Sequence, residues 1–530
     1  MSCKRKLWIT LMLMAALCMG ACEKNKENVA ETNNPVQEQV DQTEQEGQKE
    51  QGDLDEKEQQ REEEENQQQS QVSIPKILVT SDTKKWYTED DMYLLLEIKE
   101  SFVKVENEGF EVLNKALEEK FHGLEKEYKD GLLESAKEHQ LQSVTEEYVN
   151  FSEYYSNETV SVTKCDSNML SLFSFGEEYS GGAHGFYFAQ GLNFDVKTGK
   201  ELVISDILTD KEGFREAAIK YIGKQVYEEK GDELAPDYQD IIRKGFEEEK
   251  TLNWYMSAAG VYVIYNVYDL GPYVIGATQV LLPFEQFGKY MDSAYVKGNG
   301  EVITEVSGNQ ELKDYLGVKE NVSIKVDYNQ YDMVDVSIVY GKKEERVREF
   351  SAFCDGYLIK RENGRCFLVF TCDGMSDDYS SYVYEITNGN IKLCYELPDV
   401  ALNHNVVSTD KIQFTVELNV LGTFRSPTNY QLDENGRLIR EEKVFSIENA
   451  AEITVIKELP VVIEGKRTVV NPGENIRITG TNNRDEVYFV NPNTNETGTI
   501  QYEMDKEDTW VHLIDGVRED EYFEALYYVG

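Results

Sequence analysis

Three Asn-Gly pairs, Asn363-Gly364, Asn388-Gly389 and Asn435-Gly436, each sit between runs rich in β-branched and aromatic residues. Both residues of such a pair tolerate the positive φ of a tight hairpin turn, so each pair predicts two antiparallel strands. The flanking segments, GYLIKR and RCFLVFTC, SSYVYEIT and IKLCYEL, TNYQL and LIREEKVF, have the lengths of strands. VSIKVDYN, MVDVSIVYG and KIQFTVELNVLG lie in the same part of the chain. Residues 300–447 are therefore expected to be an all-β region. Residues 450–530 read as a further β module of short strands with polar turns around Pro472-Gly473.

Upstream the pattern differs. Phe110, Leu113, Leu117, Phe121, Leu124, Tyr128 and Leu132 recur every three or four residues and predict a helical stretch near 107–140. Phe214, Ala218, Ile222 and Val226 predict another helix, and PDYQDIIRKGFEEE a shorter one. Strand-like runs surround these helices, and DVKTGK turns between two of them. Residues 76–296 are expected to form an α+β domain, an antiparallel sheet with packed helices. A boundary is expected at KGNGE, residues 297–301.

The amino-terminal 75 residues do not resemble a folded domain. Lys4, Arg5 and Lys6 precede an uncharged apolar run from Leu7 to Ala21, shorter than the roughly 20 residues a membrane-spanning helix needs. Residues 1–21 read as a lipoprotein signal peptide. Met19-Gly20-Ala21-Cys22 resembles a bacterial lipobox, with Met19 in place of the usual leucine. That resemblance implies cleavage before Cys22 and lipidation of its sulfur. Residues 22–75 are Glu- and Gln-rich, and 23–75 contain no aromatic residue. Such a segment cannot bury enough apolar surface to offset chain entropy and is expected to be a disordered acidic linker. The expected location is extracytoplasmic, at the cell membrane on a lipid anchor.

The formal net charge of −45 argues against nucleic acid as a partner. The chain has 5 His, and no pair of them has metal-ligand spacing. Cys354, Cys366, Cys372 and Cys394 lie in strand-like runs without CxxC spacing, as disulfides or as buried thiols. There is no HExxH, GxSxG, P-loop or dinucleotide-binding glycine pattern, so no catalytic residue, metal or cofactor is expected. Asp373, Asp377 and Asp378 lack the spacing of a Ca²⁺ loop and read as an acidic turn. Tyr262, Tyr265, Tyr268 and Tyr273 read as strand packing or as a sugar-stacking surface.

Residues 179–200 are the most distinctive segment. Gly181, Gly182 and Gly185 let the chain turn tightly around His184. Two readings stand: a histidine that organises a loop, or a hydrolase histidine working with a distant carboxylate. Tyr179-Ser180-Gly181-Gly182-Ala183-His184-Gly185, followed by Asn193-Phe194-Asp195, resembles an extracytoplasmic domain family. That family is shared by the lysozyme-sensing anti-sigma factor RsiV and the peptidoglycan deacetylase PdaC, and the likeness covers residues 76–290. The resemblance implies that Tyr179, Ser180, Gly181, Gly182, His184, Gly185, Asn193 and Asp195 bind a ligand or organise the loop. It implies as partner a cell-wall glycan such as peptidoglycan, or a lysozyme-like protein. Only six residues precede the apolar run, so sigma-factor binding is not expected. No TFDDG-type motif occurs in 291–530, so deacetylation is not expected. Residues 450–530 are similar to a small SH3-like β-barrel, with Gly498-Thr499 in place of the usual Gly-Trp. The expected function is a non-catalytic envelope-binding role, with a lysozyme sensor or inhibitor as the alternative.

Overall fold

In the computed structural model the described residues are 74–146, 150–298, 300–328, 333–374, 378–448, 450–506 and 511–528. The signal peptide, Cys22, nearly all of the acidic linker and Asp377 lie outside them. Residues from Val72 onward form one compact unit.

The chain begins with β1 (Ile77–Tyr87) and β2 (Leu94–Val105), an antiparallel pair. Helices α1 (Glu111–Lys120) and α2 (Lys126–Thr145) follow. The predicted apolar stripe is therefore split. Phe110, Leu113, Leu117 and Phe121 enter the main core, whereas Leu124, Tyr128 and Leu132 join a smaller one with Leu95, Leu96, Ile98 and Tyr154. Gly123, at φ +78°, breaks the stretch. The buried Glu100 carboxylate holds the break by accepting from the Leu124 amide at 2.5 Å and Lys129 Nζ at 2.9 Å.

β3 (Tyr154–Asp166), β4 (Met169–Tyr179) and β5 (Phe186–Asp195) form an antiparallel meander, and β2 pairs with β3 in parallel. Helix α3 (Lys211–Lys230) starts at Asp210, whose side chain accepts from the Gly213 amide. It buries Phe214, Ala218, Ile222 and Val226, the stripe the spacing predicts. Helix α4 (Tyr238–Glu247) buries Ile242 and Phe246. A three-stranded sheet of β6 (Trp254–Met256), β7 (Gly260–Tyr265) and β8 (Thr278–Pro283) completes this part.

β9 (Val302–Val306) comes next in the chain. A four-stranded sheet contains β10 (Gln310–Glu311), β11 (Val322–Tyr328), β12 (Val334–Tyr340) and β13 (Lys343–Phe350). Three hairpins then form on the Asn-Gly turns. β14 (Ala352–Lys360) pairs with β15 (Cys366–Asp373), β16 (Tyr379–Thr387) with β17 (Asn390–Pro398), and β20 (Thr423–Leu432) with β21 (Leu438–Arg440). β18 (Val400–Val407) and β19 (Lys411–Asn419) lie between the last two. Gly364, Gly389, Gly436 and Asn388 all have positive φ.

The sheet order corrects the expected boundary. It runs β17-β16-β15-β14-β9-β3-β2-β1-β18-β19-β20-β21, with β4 and β5 attached at β3. β9 lies between β3 and β14, and Ile77 of β1 pairs with Val407 of β18. Residues 76–296 and 300–447 therefore share one sheet rather than forming separate domains. Alternation along a strand fixes which face is buried but not which edge it joins, so this pairing had no local signal. The sheet curls until its far strands meet: Ser381 Oγ of β16 donates to the Val400 carbonyl, and the Leu402 amide donates to Thr371 Oγ1. The result is a large β-rich region that is nearly closed. The carboxy-terminal module is a seven-stranded sheet with a separate three-stranded one, and its Val461, Ile476, Ile478 and Phe489 enter the same core. Gly498 pairs with Phe489, and a Cβ there would lie 2.6 Å from that ring.

The β3–β9 junction holds a completely buried ion pair. Lys164 Nζ lies 2.7 Å from Asp166 Oδ2 and donates to the Tyr295 carbonyl at 2.7 Å. Asp166 Oδ1 accepts from the amides of Asn168 and Met169 in the β3–β4 turn. Removing one partner of such a pair leaves an uncompensated charge. Lys164→Met is expected to lower unfolding free energy by about 3–5 kcal/mol, read by urea denaturation. A loss below about 1 kcal/mol would show that the pair does not hold this junction.

Candidate functional site

The glycine-histidine motif forms the connection from β4 to β5. Gly181 (φ +86°) and Gly182 (φ +121°) turn the chain. A Cβ on Gly181 would lie 2.4 Å from the Tyr154 hydroxyl, so this glycine is needed for both conformation and space. Tyr179 closes the turn by donating its hydroxyl to the Gly182 carbonyl at 3.1 Å. Ser180 and His184 are exposed.

The Gly185 carbonyl accepts twice, from His184 Nδ1 at 2.9 Å and from the Tyr273 hydroxyl at 3.0 Å. The His184 ring stacks on Tyr273 at 4.2 Å, inclined by 25°. Because Nδ1 donates, the neutral ring presents Nε2 as an acceptor. Tyr268 (5.6 Å) and Tyr187 (6.2 Å) also meet the Tyr273 ring, and Tyr155 stacks on Tyr179 at 6.0 Å. Tyr268 is 56% exposed and has φ +73°. The Tyr273 phenol is raised above its usual pKa, first by desolvation and then by neighbouring Tyr187, Tyr268 and Tyr155. The result is an aromatic surface with hydroxyls at its rim.

The other candidate residues do other work. Asn193 is buried, accepting from Ser171 Oγ and donating to the Trp254 carbonyl. Asp195 Oδ1 accepts from the amides of Lys197 and Thr198 and holds the DVKTGK turn. Eight residues of extended strand, about 26 Å, separate Asn193 from Gly185. Asn193 and Asp195 therefore support the fold and do not share a small ligand with His184. Among the tyrosines, Tyr262 stacks on Tyr255 at 4.9 Å and Tyr265 is buried, so only Tyr268 and Tyr273 reach the surface around His184.

For the hydrolase reading, no carboxylate pairs with His184 among the described residues; its ring contacts the Gly185 carbonyl and Tyr273. No group of three His, Cys, Asp or Glu among the described residues is arranged to hold a metal ion. Next to Asp373, the Gly374 amide donates to the Asp378 carbonyl. Cys165, Cys366 and Cys394 are free thiols, and the Cys354 side chain lies outside what the structure describes. No helix among the described residues is long and apolar enough to cross a membrane.

Sequence reasoning missed a second polar constellation. His404 of β18 meets Asp355 Oδ2 through Nε2 at 2.7 Å and the Tyr357 hydroxyl through Nδ1 at 2.6 Å. Glu305 of β9 pairs with Tyr357 of β14 across the sheet. The four residues come from three strands, and no spacing announces them. Tyr357 is buried, whereas the side chains of His404 and Asp355 are partly exposed. Burial lowers the His404 pKa, but the hydrogen bond and charge of Asp355, with Glu305, raise it further, so the net shift is upward. Burial pushes Glu305 up to about 7, against the pull of His404 and with the push of Asp355. Buried Tyr255 and half-buried Tyr262 also feel the Glu305 charge.

With this geometry in place, comparison with known proteins locates the motif. Residues 205–285 match DUF3298, a protein family of unknown function. Residues 94–187 match the family described as deacetylase PdaC. The two matches thus fall on separate, neighbouring segments of the chain. Tyr155, Tyr179, His184 and Tyr187 lie in the first match along the chain, and Tyr268 and Tyr273 lie in the second. A solved DUF3298 family member from Bacteroides fragilis NCTC 9343 is 19% identical over 42% of this chain and 94% of its own, with a TM-score of 0.32. One from Pseudomonas aeruginosa PAO1 is 15% identical over 42% of this chain and 95% of its own, with a TM-score of 0.27. No curated protein matches the chain significantly.

Glu305 and His404 both hold protons more tightly in the folded chain than in the unfolded one. The Glu305 contribution to stability is present in full below the unfolded Glu range and declines as pH rises through about 7, and the His404 contribution is lost as pH rises above the ordinary histidine range. Unfolding free energy should therefore fall between pH 5 and pH 8. Glu305→Gln should reduce that fall by about 1–3 kcal/mol in urea titrations at the two pH values. An unchanged pH slope in the variant would show that Glu305 does not titrate in this range.

Proposed function

We propose that this protein is a non-catalytic binding protein of a bacterial envelope, held by a lipid on Cys22 and recognising a cell-wall glycan. The observation that carries the reading is the surface where both family matches meet: His184 stacked on Tyr273, with exposed Tyr268 beside it. Aromatic faces stack on the apolar faces of sugar rings, while Nε2 of His184 and the phenol oxygens hydrogen-bond their hydroxyls. The Glu- and Gln-rich segment between Cys22 and residue 75 acts as the spacer from the membrane. The SH3-like module at 450–530 contributes a second contact with the wall.

The test is retention of the purified chain on insoluble peptidoglycan, with lysozyme-coated beads in parallel. Tyr268→Ala and His184→Ala are each expected to weaken peptidoglycan retention about fivefold, for about 1 kcal/mol of stacking per ring. Both rings are at the surface, so melting should be unchanged. Equal retention of the double variant and the parent would remove the aromatic surface from the binding role. Capture by lysozyme beads alone, weakening with salt, would replace the glycan with a basic protein partner attracted by the −45 charge.

A further inference from the structure

β18 closes the curled sheet with few backbone pairings. Its register with β19 runs from Val400 to Asn403 and resumes only at Val407, and β1 adds Ile77 and Leu78. Inside the break, the Asn405 amide donates to Asn403 Oδ1 at 2.9 Å. Side chains supply the remaining ties. Before the break, buried Thr371 accepts from the Leu402 amide at 2.8 Å, and buried Ser381 donates to the Val400 carbonyl at 2.7 Å. Beyond it, Lys76 Nζ lies 2.7 Å from Asp410 Oδ2, and Thr409 Oγ1 donates to Glu301. The tie in the middle is His404, which meets Asp355 and Tyr357 of β14.

These ties differ in their response to pH. The hydroxyls of Thr371 and Ser381 do not titrate. Burial raises the Asp410 carboxyl, but hydrogen bonds from Lys76 and Ser408, with the Lys76 and Arg361 charges, outweigh it and hold that carboxyl below its usual range. His404 changes charge near neutral pH, and its side chain and that of Asp355 are partly exposed, so protons reach both. The groups that face the imidazole are Asp355 and Tyr357 of β14 and Glu305 of β9. The phenols of Tyr255 and Tyr262 on β6 and β7 feel the Glu305 charge and are held above their usual range, first by burial. Among the described residues no lysine or arginine pairs with Glu305 or Asp355, so His404 is the cation that serves both acids.

In acid, the imidazolium donates through Nε2 to Asp355 and through Nδ1 to the Tyr357 oxygen, and Glu305 is a neutral carboxylic acid. As pH rises through about 7, Glu305 takes on charge, and the imidazolium then offsets two carboxylates. His404 gives up its own proton above the ordinary histidine range. The neutral ring keeps both contacts, with Tyr357 donating to Nδ1, but the two carboxylates are left without a cation. Like charges in a largely buried site oppose one another strongly.

We propose that His404 is a pH-released latch on this seam, clamping β18 to β14 in acid and letting residues 403–407 open locally above neutrality. The ties at Leu402 and Asp410 hold on either side, so the opening is confined to the stretch between them. Release uncovers Tyr357, which is otherwise buried. The latch is independent of the aromatic surface around His184.

The test is hydrogen–deuterium exchange of the full chain at pH 6 and pH 8.5, corrected for the intrinsic effect of pH on exchange. Protection over residues 403–407 should fall about tenfold between the two pH values. Glu305→Gln, of the same shape and uncharged, should keep most of that protection at pH 8.5. His404→Gln should lower protection at pH 6, where the parent is clamped. A local opening exposes little surface, so low urea should leave exchange over 403–407 at pH 8.5 unchanged. Equal protection of 403–407 at both pH values in the parent, an equal fall in Glu305→Gln, or urea-dependent exchange of this stretch at pH 8.5 would each overturn the proposal.

Discussion

Lys164 and Asp166 have no exposed side-chain surface, and the arrangement of the sheet depends on them. The pair joins β3, the β3–β4 turn and the segment before β9 through three further hydrogen-bonding groups. A Cβ on Gly298 would stand 3.1 Å from Asp166 Oδ2, so the chain that looks like a linker in the sequence passes tightly over the buried pair. Burying two charges is expensive, and apolar replacements of the same volume are often as stable. What the pair supplies is register: Lys164 pairs with Thr304, and Asp166 with Val302. β9 is placed by that match, and the strands from β14 to β17 are placed by β9.

The same arrangement explains the candidate site. β4 and β5 attach to β3 on this fixed frame, and their connection carries the glycine turn and His184. The partner ring, Tyr273, arrives from a segment 88 residues beyond Gly185 and shares its carbonyl. Asn193 and Asn253 tie β5 to the small three-stranded sheet: Asn193 donates to the Trp254 carbonyl, and Asn253 accepts from the Gly191 amide. The aromatic surface thus lies where the β4–β5 connection meets the segment between β7 and β8, each anchored by hydrogen bonds to its neighbours.

What could be read in advance was what neighbouring residues decide among themselves. The Asn-Gly turns form hairpins because the glycine of each takes positive φ, joined by the asparagine at Asn388-Gly389. The α3 stripe is buried because a spacing of four places one face inward. The 107–140 stripe has the right period, but Gly123 divides it between two cores, and a break costs no periodicity. Of the motif residues, Tyr179, Gly181, Gly182, His184 and Gly185 come together around the turn. Asn193 and Asp195 continue the same resemblance but serve the strand. The partnership of His184 with Tyr273, and that of His404 with Asp355, join residues 89 and 49 positions apart. Such contacts follow from sheet order, which alternation along a strand does not encode.

β17 ends at Pro398 and β18 begins at Val400, joined only by Asp399 at φ +59°. Next in the chain, the two strands are separated by seven others in hydrogen-bonding order. The free edge of β1 therefore waits for a partner made more than 300 residues later. At a synthesis rate of about 5–20 residues per second, that interval is roughly 15–65 s. An unpaired strand edge invites pairing with other chains for as long as it stays open. β18 finally covers only Ile77 and Leu78. The rest of β1 reads mostly polar through Thr80-Ser81-Asp82-Thr83-Lys84-Lys85 and is largely exposed. Those side chains, which in the finished molecule make surface ion pairs of Lys84 with Asp82 and of Lys85 with Glu97, suit a strand that must stay single through most of its own synthesis.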